Sequence, residues 1–242
     1  MLSTITMTIE NDPYVGSIRL ISEANVSSAS GVTGIDINRK PYGESWAKIK
    51  SIAVESVDDL AFNIIDITTK PKKEYSYSID IKNGDSIIES QTYNFVECWL
   101  DGVLVGNNTK LYIAESNISI DESINTQVSY VTTLEARTPY RVSNANTKYS
   151  VVSVSGLFLK LTNDKKKFIP DVDYSYAKEV IDFLLDGTSK IIKDSQGRIW
   201  FASIDNAVSL QNQNGYSGYD PIQFSFTEIG DVPVIDYVIE VQ

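Results

Sequence analysis

Paired carboxylates are the side chains of this sequence that come closest to a catalytic motif. Three pairs lie close together along the chain: Asp58 with Asp59, Asp121 with Glu122, and Glu228 with Asp231. Two carboxyl groups that flank a glycosidic bond can act as the acid and the base or nucleophile of a glycosidase. The sequence places no pair across a cleft, and a chain with 32 Asp and Glu residues contains such pairs by chance. We therefore interpret all three pairs as non-catalytic.

The residue types on which most enzymes depend are scarce or missing. The 242-residue chain contains no histidine, which excludes Ser-His-Asp, Cys-His and histidine-based metal sites. Its single cysteine, Cys98, has no partner for an intrachain disulfide. The sequence also lacks a glycine-rich phosphate-binding loop and an EF-hand pattern. We expect no enzymatic activity, no cofactor and no metal site.

Asp171 and Asp173 form a further acidic motif in front of an apolar segment. Together with backbone carbonyls they could bind calcium, which prefers oxygen ligands. The alternative is that they cap the helix that follows, because carboxylates accept hydrogen bonds from the free N–H groups of a helix N-terminus. We adopt the capping interpretation.

Aromatic residues suggest a binding site rather than a catalytic one. The chain has 14 tyrosines, and Tyr216 and Tyr219 lie in a polar loop over residues 213–221. Aromatic rings can stack on a sugar or cover a protein interface, although tyrosines in strands are commonly core residues. We select Tyr216 and Tyr219 as candidate contacts to a partner or a glycan.

Most segments of the chain have the pattern of β-strands. Residues 73–81, KEYSYSIDI, alternate apolar and polar side chains, and Asn83-Gly84 follows as a turn. Turn signals recur about every 8–12 residues, as in sandwiches and barrels. We predict an all-β fold whose first domain, 1–122, is a β-sandwich of fibronectin or immunoglobulin-like size. The polar segment 120–127 marks the predicted boundary.

The second predicted domain, 123–242, is β-rich and carries one α-helix. Apolar residues at helical spacing predict this helix over about 174–186, with one face in the core. Asp173 or Ser175 would cap its start, and Gly187 would end it. In a later strand, Trp200 and Phe201 are adjacent, so their side chains should point to opposite faces of a sheet.

The overall charge limits the partners of the chain. A net charge of −11 disfavours binding to the phosphate backbone of a nucleic acid. No apolar run approaches the ~18 residues of a membrane span, and the N-terminal residues do not follow the pattern of a signal peptide. We expect a protein that is made and folded in the cytoplasm.

Four stretches of the second half follow one another in a characteristic order: TTLEARTPYRVSNANTKYSVVSVSGLFL, KEVIDFLLDGTSKIIKD, GRIWFASIDNAVSL and FSFTEIGD. Together they resemble the distal tail proteins and related tail and baseplate proteins of phages that infect Gram-positive bacteria. The resemblance spans about residues 130–235 and extends more loosely over 55–120. Residues 1–54 match no pattern of that family.

The resemblance implies a structural protein of the virion. Such proteins form homo-oligomeric rings, usually six-fold, that join the tail tube to the baseplate or fibres. The implied partners are further copies of the chain and other tail or baseplate proteins, and the family offers no catalytic residues to transfer. Two alternatives stay open: a glycan- or receptor-binding β module of a phage or a cell surface, acting through the loop 213–221, and a glycosidase based on carboxylates alone.

Overall fold

The protein folds almost entirely into β-strands. The structure, a computed structural model, describes residues 2–12, 16–132, 138–161, 168–169, 171, 174–211, 220–233 and 238–240. These residues form sixteen strands, one α-helix and one short 3-10 helix. The predicted all-β class is confirmed. Within these ranges, no helix is long and apolar enough to cross a membrane.

The elements follow one another along the chain in two groups. The first group is β1 (Ile5–Asp12), β2 (Ser17–Ala24), β3 (Gly34–Pro41), β4 (Ala47–Ala53), the 3-10 helix (Asp58–Leu60), β5 (Asn63–Asp66), β6 (Glu74–Asn83) and β7 (Ser86–Glu97). The second is β8 (Val103–Gly106), β9 (Leu111–Val131), β10 (Tyr140–Phe158), β11 (Lys160–Leu161), β12 (Phe168–Ile169), α1 (Ser175–Leu184), β13 (Lys190–Asp194), β14 (Ile199–Leu210), β15 (Ile222–Gly230) and β16 (Val238–Glu240).

Two four-stranded sheets form a β-sandwich. Their strand orders are β1-β2-β5-β16 and β4-β3-β6-β7, and residues of both sheets share one hydrophobic core. The alternating pattern of β3 and β6 explains the arrangement, because Ile35 lies opposite Ile81 and Ile37 opposite Ile79. All four side chains are fully buried, so one face of this sheet is apolar and packs against the other sheet.

A closed six-stranded barrel forms the second part of the molecule. Its strand order is β10-β15-β14-β13-β8-β9, and every neighbouring pair is antiparallel. Val152, Val154, Phe224 and Phe226 fill its interior together with Trp200. Helix α1 packs against this core through an apolar stripe. The buried residues of that stripe are Val180, Phe183 and Leu184.

The sandwich and the barrel meet at a third apolar cluster. Ile65 and Ile239 of the sandwich pack there with Leu104 and Ile191 of the barrel. Strands β8 and β13 are therefore buried on both faces. The sequence of β8 is accordingly a continuous apolar run rather than an alternating one, whereas β13 also carries the buried side chains of Lys190, Lys193 and Asp194.

The sheets group the chain differently from the predicted domain limits. The boundary placed at residue 122 falls inside β9, which runs without interruption from Leu111 to Val131. Strand β8 and the first part of β9 belong to the barrel, and β16 returns from the C-terminal part to pair with β5. The segment 120–127 is polar because much of it is exposed strand, not because it is a linker.

Helix α1 lies within the predicted segment, but its N-terminus is capped differently. Ser175 is the first helical residue and not the cap. Asp171 caps the helix instead, because its carboxylate accepts hydrogen bonds from the backbone N–H groups of Tyr176 at 3.0 Å and Ala177 at 2.8 Å. The capping interpretation of Asp171 is confirmed, while Asp173 lies outside the described residues. Gly187, with φ +78°, follows the end of the helix.

Candidate assembly surface

The ribbon formed by β9 and β10 extends beyond the barrel. Strand β10 pairs with β15 only from Val151 to Gly156, whereas its pairing with β9 continues to Tyr140, opposite Val131. We call the described residues of the ribbon outside the barrel, 123–132 and 138–149, the arm. At about 3.3 Å per residue, its strands reach roughly 25 Å past the barrel wall.

The arm exposes large apolar side chains. Ile124, Tyr130 and Tyr140 are 72%, 68% and 64% exposed, and Val131 and Val142 are about half exposed. An isolated two-stranded ribbon is at best marginally stable in water, and it gains stability when another surface covers its apolar side chains. The arm therefore has the properties of a surface that is completed by a partner.

Two carboxylates fix the base of the arm to the barrel. Ser150 donates a hydrogen bond from Oγ to Glu122 at 2.7 Å and from its backbone N–H to Glu228 at 2.9 Å. Arg198, which directly precedes β14, adds an ion pair to Glu122 at 2.9 Å. Partial burial opposes the charge on Glu122, but the hydrogen bonds from Ser150 and Arg198 outweigh it and lower the pKa of this carboxyl group. These contacts hold the two strands where they leave the barrel.

Strand β7 and Trp99, which follows it, present a second exposed apolar surface, which we call the β7 edge. Strand β7 is an edge strand whose hydrogen-bonded neighbour in the sheet is β6. Ile87 and Ile88 are about half exposed, and so is Trp99, which follows the strand. Phe95 is 66% exposed and has a φ of +62°, at a break in the pairing register with β6. A strained backbone that holds an aromatic side chain in solvent is typical of a contact site.

The carboxylate pairs noted in the sequence have structural partners. Asp59 accepts hydrogen bonds from the backbone N–H groups of Glu55 and Ser56, which lower its pKa. The structure brings Glu122 and Glu228 together at Ser150, although they belong to different pairs in the sequence.

Tyr216 and Tyr219, the candidate contacts selected from the sequence, lie outside the described residues. They stay a prediction.

The arm was not predicted, because its signal in the sequence is incomplete. Ile120, Ile124, Val128 and Tyr130 occupy even positions on both sides of residue 122, but Glu122 and Thr126 interrupt this period-two apolar pattern. The polar residues of the stretch suggested a domain boundary instead.

Comparisons with known proteins add little to this geometry. No protein-family model matches the chain, and no curated protein matches it. Among solved structures, a chain of the "Virion of native gene transfer agent (GTA) particle" is similar, with 14% identity over 58% of this chain and 95% of that chain. The TM-score of 0.32 is too low for this similarity to support a conclusion about function.

Proposed function

We propose that this chain is a non-enzymatic structural subunit of a phage virion. In this proposal it is a tail or baseplate adaptor that assembles into a homo-oligomeric ring and joins the tail tube to the baseplate or fibres. The observation that carries the proposal is the arm, which exposes Ile124, Tyr130 and Tyr140 outside the barrel. Surfaces of this kind are stabilised by association with other subunits.

The placement of the family-like segments supports the same proposal. The stretches that resemble distal tail proteins form β10 with its part of the arm, helix α1, the β13–β14 hairpin and β15. They therefore account for most of the barrel rather than for scattered loops. The remaining family-like feature, ring formation, requires contacts between copies, and the arm and the β7 edge provide apolar surface for such contacts.

The mass of the purified protein in solution tests the proposal. We would measure it by light scattering, first alone and then after mixing with tail-tube and baseplate proteins from the same phage genome. A discrete multimer or a stable stoichiometric complex is the expected result. A protein that stays monomeric and binds none of these proteins would overturn the adaptor function. Binding to host cell walls that is lost in Tyr216→Ala/Tyr219→Ala would then support the glycan-binding alternative.

A further inference from the structure

One face of the arm continues the interior face of the barrel. Val152 and Val154 point into the barrel core, and their partners on β9 are Glu122 and Ile120. Side chains directly opposite each other in an antiparallel pair lie on the same face. Since β9 is regular from Ile120 to Val131, its even-numbered residues stay on this face beyond the barrel. We call this side of the arm the inner face.

The inner face is both apolar and basic. It carries Ile124 and Tyr130, which are 72% and 68% exposed. Arg141 lies opposite Tyr130, and Lys148 lies opposite Thr126, so both cations share this face. Both side chains are exposed, and neither has an ion-pair partner among the described residues.

The segment 123–149, which contains the arm, has a net charge opposite in sign to that of the rest of the chain. Residues 123–149 contain three Lys or Arg and one Asp or Glu, a net charge of +2. The remaining residues contain 18 Lys or Arg and 31 Asp or Glu, a net charge of −13. A second copy of the chain is therefore an electrostatically attractive partner for the arm.

The β7 edge has the complementary properties. From residue 83 to residue 109 the chain contains four acidic residues and no basic one; the four are Asp85, Glu89, Glu97 and Asp101. The same stretch carries the exposed apolar side chains of β7 and its neighbour Trp99. Among the described residues, one backbone edge of β7 is not paired with another strand, so an extended segment can approach it. The carboxylate of Glu89 is already occupied, because it accepts hydrogen bonds from Ser3 and Thr4 of the same chain.

A pair of like charges on this surface points to a missing cation. Glu97 of β7 lies directly opposite Glu74 of β6, and both side chains are exposed. Two carboxylates in directly opposite positions destabilise a sheet. Neither Glu74 nor Glu97 has an ion-pair partner among the residues that the structure describes. A cation from outside the chain would relieve the repulsion.

We infer that the inner face of the arm binds the β7 edge of a second copy of this chain, with Arg141 and Lys148 facing the Glu74–Glu97 pair. The inference rests on the proposed function, because it specifies how the copies contact each other. The arm and the β7 edge are different surfaces, so the contact between two copies is heterologous. Each added copy then presents a free arm or a free edge to the next one, and repetition gives a ring or a filament.

A charge-swap experiment tests this contact. Self-association of the wild-type chain is measured by sedimentation at low and high salt, and it should weaken as salt rises. Arg141→Glu/Lys148→Glu and, separately, Glu74→Lys/Glu97→Lys should each weaken it about tenfold or more. The four substitutions combined should restore association to near the wild-type level, because the two charges have only exchanged sides.

A matched control separates the local effect from net charge. Lys70→Glu/Lys178→Glu changes the charge of the chain by the same amount as the arm variant, at exposed lysines outside both surfaces. It should associate like the wild type. Circular dichroism of each variant checks that the fold is intact.

The possible outcomes distinguish this inference from the proposed function. Full association of Arg141→Glu/Lys148→Glu would overturn the role of the arm, and failure of the combined variant to recover would overturn β7 as its acceptor. A wild-type chain that never self-associates but binds another tail protein would overturn the second copy as partner while leaving the structural function in place. Binding to nucleic acid instead of self-association would likewise overturn it.

Discussion

At the scale of single residues, Asp66 organises the buried polar side chains of the sandwich. Its carboxylate accepts hydrogen bonds from Arg39 Nη1 at 2.8 and 2.9 Å, from the Tyr77 hydroxyl at 3.0 Å and from Thr68. Burial disfavours the charge on Arg39, but the negative charge of Asp66 outweighs it and raises the pKa of the guanidinium. The ion pair links β3 of one sheet to β5 of the other.

Replacing Asp66 should destabilise the protein strongly. Asp66→Ala leaves the buried Arg39 without its counter-charge, so we expect the free energy of unfolding to fall by about 3–5 kcal/mol. Arg39→Met/Asp66→Leu removes both charges, so its free energy of unfolding should fall much less. Urea denaturation of the three proteins measures these differences, and a loss below about 1 kcal/mol for Asp66→Ala would contradict the assigned role.

Residue-level prediction from the sequence depends on whether the signal is local. Trp200 and Phe201 point to opposite faces as predicted: Trp200 lies in the barrel core, and Phe201 packs against the cluster between barrel and sandwich. This follows from the period of a strand alone. The Arg39–Asp66 pair joins residues on different sheets, and no local pattern indicates that they meet.

At the scale of elements, the cap of helix α1 is a testable feature. Asp171→Ala removes the acceptor for the N–H groups of Tyr176 and Ala177. We expect a loss of about 1 kcal/mol in the free energy of unfolding. Asp182→Ala serves as a control, because Asp182 is exposed in the middle of the helix and alanine favours helix there. Thermal unfolding of both variants compares them, and an equal effect would contradict the capping role.

The elements show where sequence patterns are informative. Helix α1 and the strands of the sandwich were predictable because each has a period that reports its own buried face. The arm was not, because both faces of β9 beyond the barrel are exposed and its polar residues resemble those of a linker. Its role as a candidate contact surface became apparent only from the exposure of Ile124 and Tyr130.

At the scale of the whole molecule, Lys193 connects the barrel to the sandwich. Its ammonium group donates hydrogen bonds to the carbonyl of Gly16, to Ser17 Oγ at 2.8 Å and to the carbonyl of Thr69 at 3.0 Å. The side chain is fully buried, and this burial lowers its pKa to about 8. Gly16 is required in this junction, since a Cβ there would lie 2.3 Å from Leu100 Cδ1.

This junction should make stability depend on pH. The pKa of Lys193 is lower in the folded state than the ordinary value of 10.5, so the unfolded chain binds more protons between about pH 8 and 10.5. The contribution of Lys193 to the free energy of unfolding should therefore rise through this window, by about 1 kcal/mol per pH unit. Burial raises the pKa of the Cys98 thiol and of the Tyr77 hydroxyl, and these groups lower stability at alkaline pH in every variant. Urea denaturation between pH 7 and pH 10 should therefore give a more positive slope of the free energy of unfolding against pH for the wild type and Lys178→Met than for Lys193→Met. Identical slopes would contradict the assignment.

The domain limits show what local patterns leave undetermined. Strands β16 and β5 are paired although about 170 residues separate them. Strand periodicity identifies each strand but does not state its neighbour, so the division of the chain into sandwich and barrel required the sheet order.

The position of β16 has a consequence for biosynthesis. Strand β5 lies between β2 and β16. Val238 of β16 contributes to the core of the sandwich, and Ile239 contributes to the apolar cluster between the sandwich and the barrel. While the nascent chain is still being elongated, β5 is an open edge and both cores lack a side chain. The first sheet of the sandwich is therefore completed only after residue 240 has been translated, and until then β1, β2 and β5 form a sheet with one strand missing.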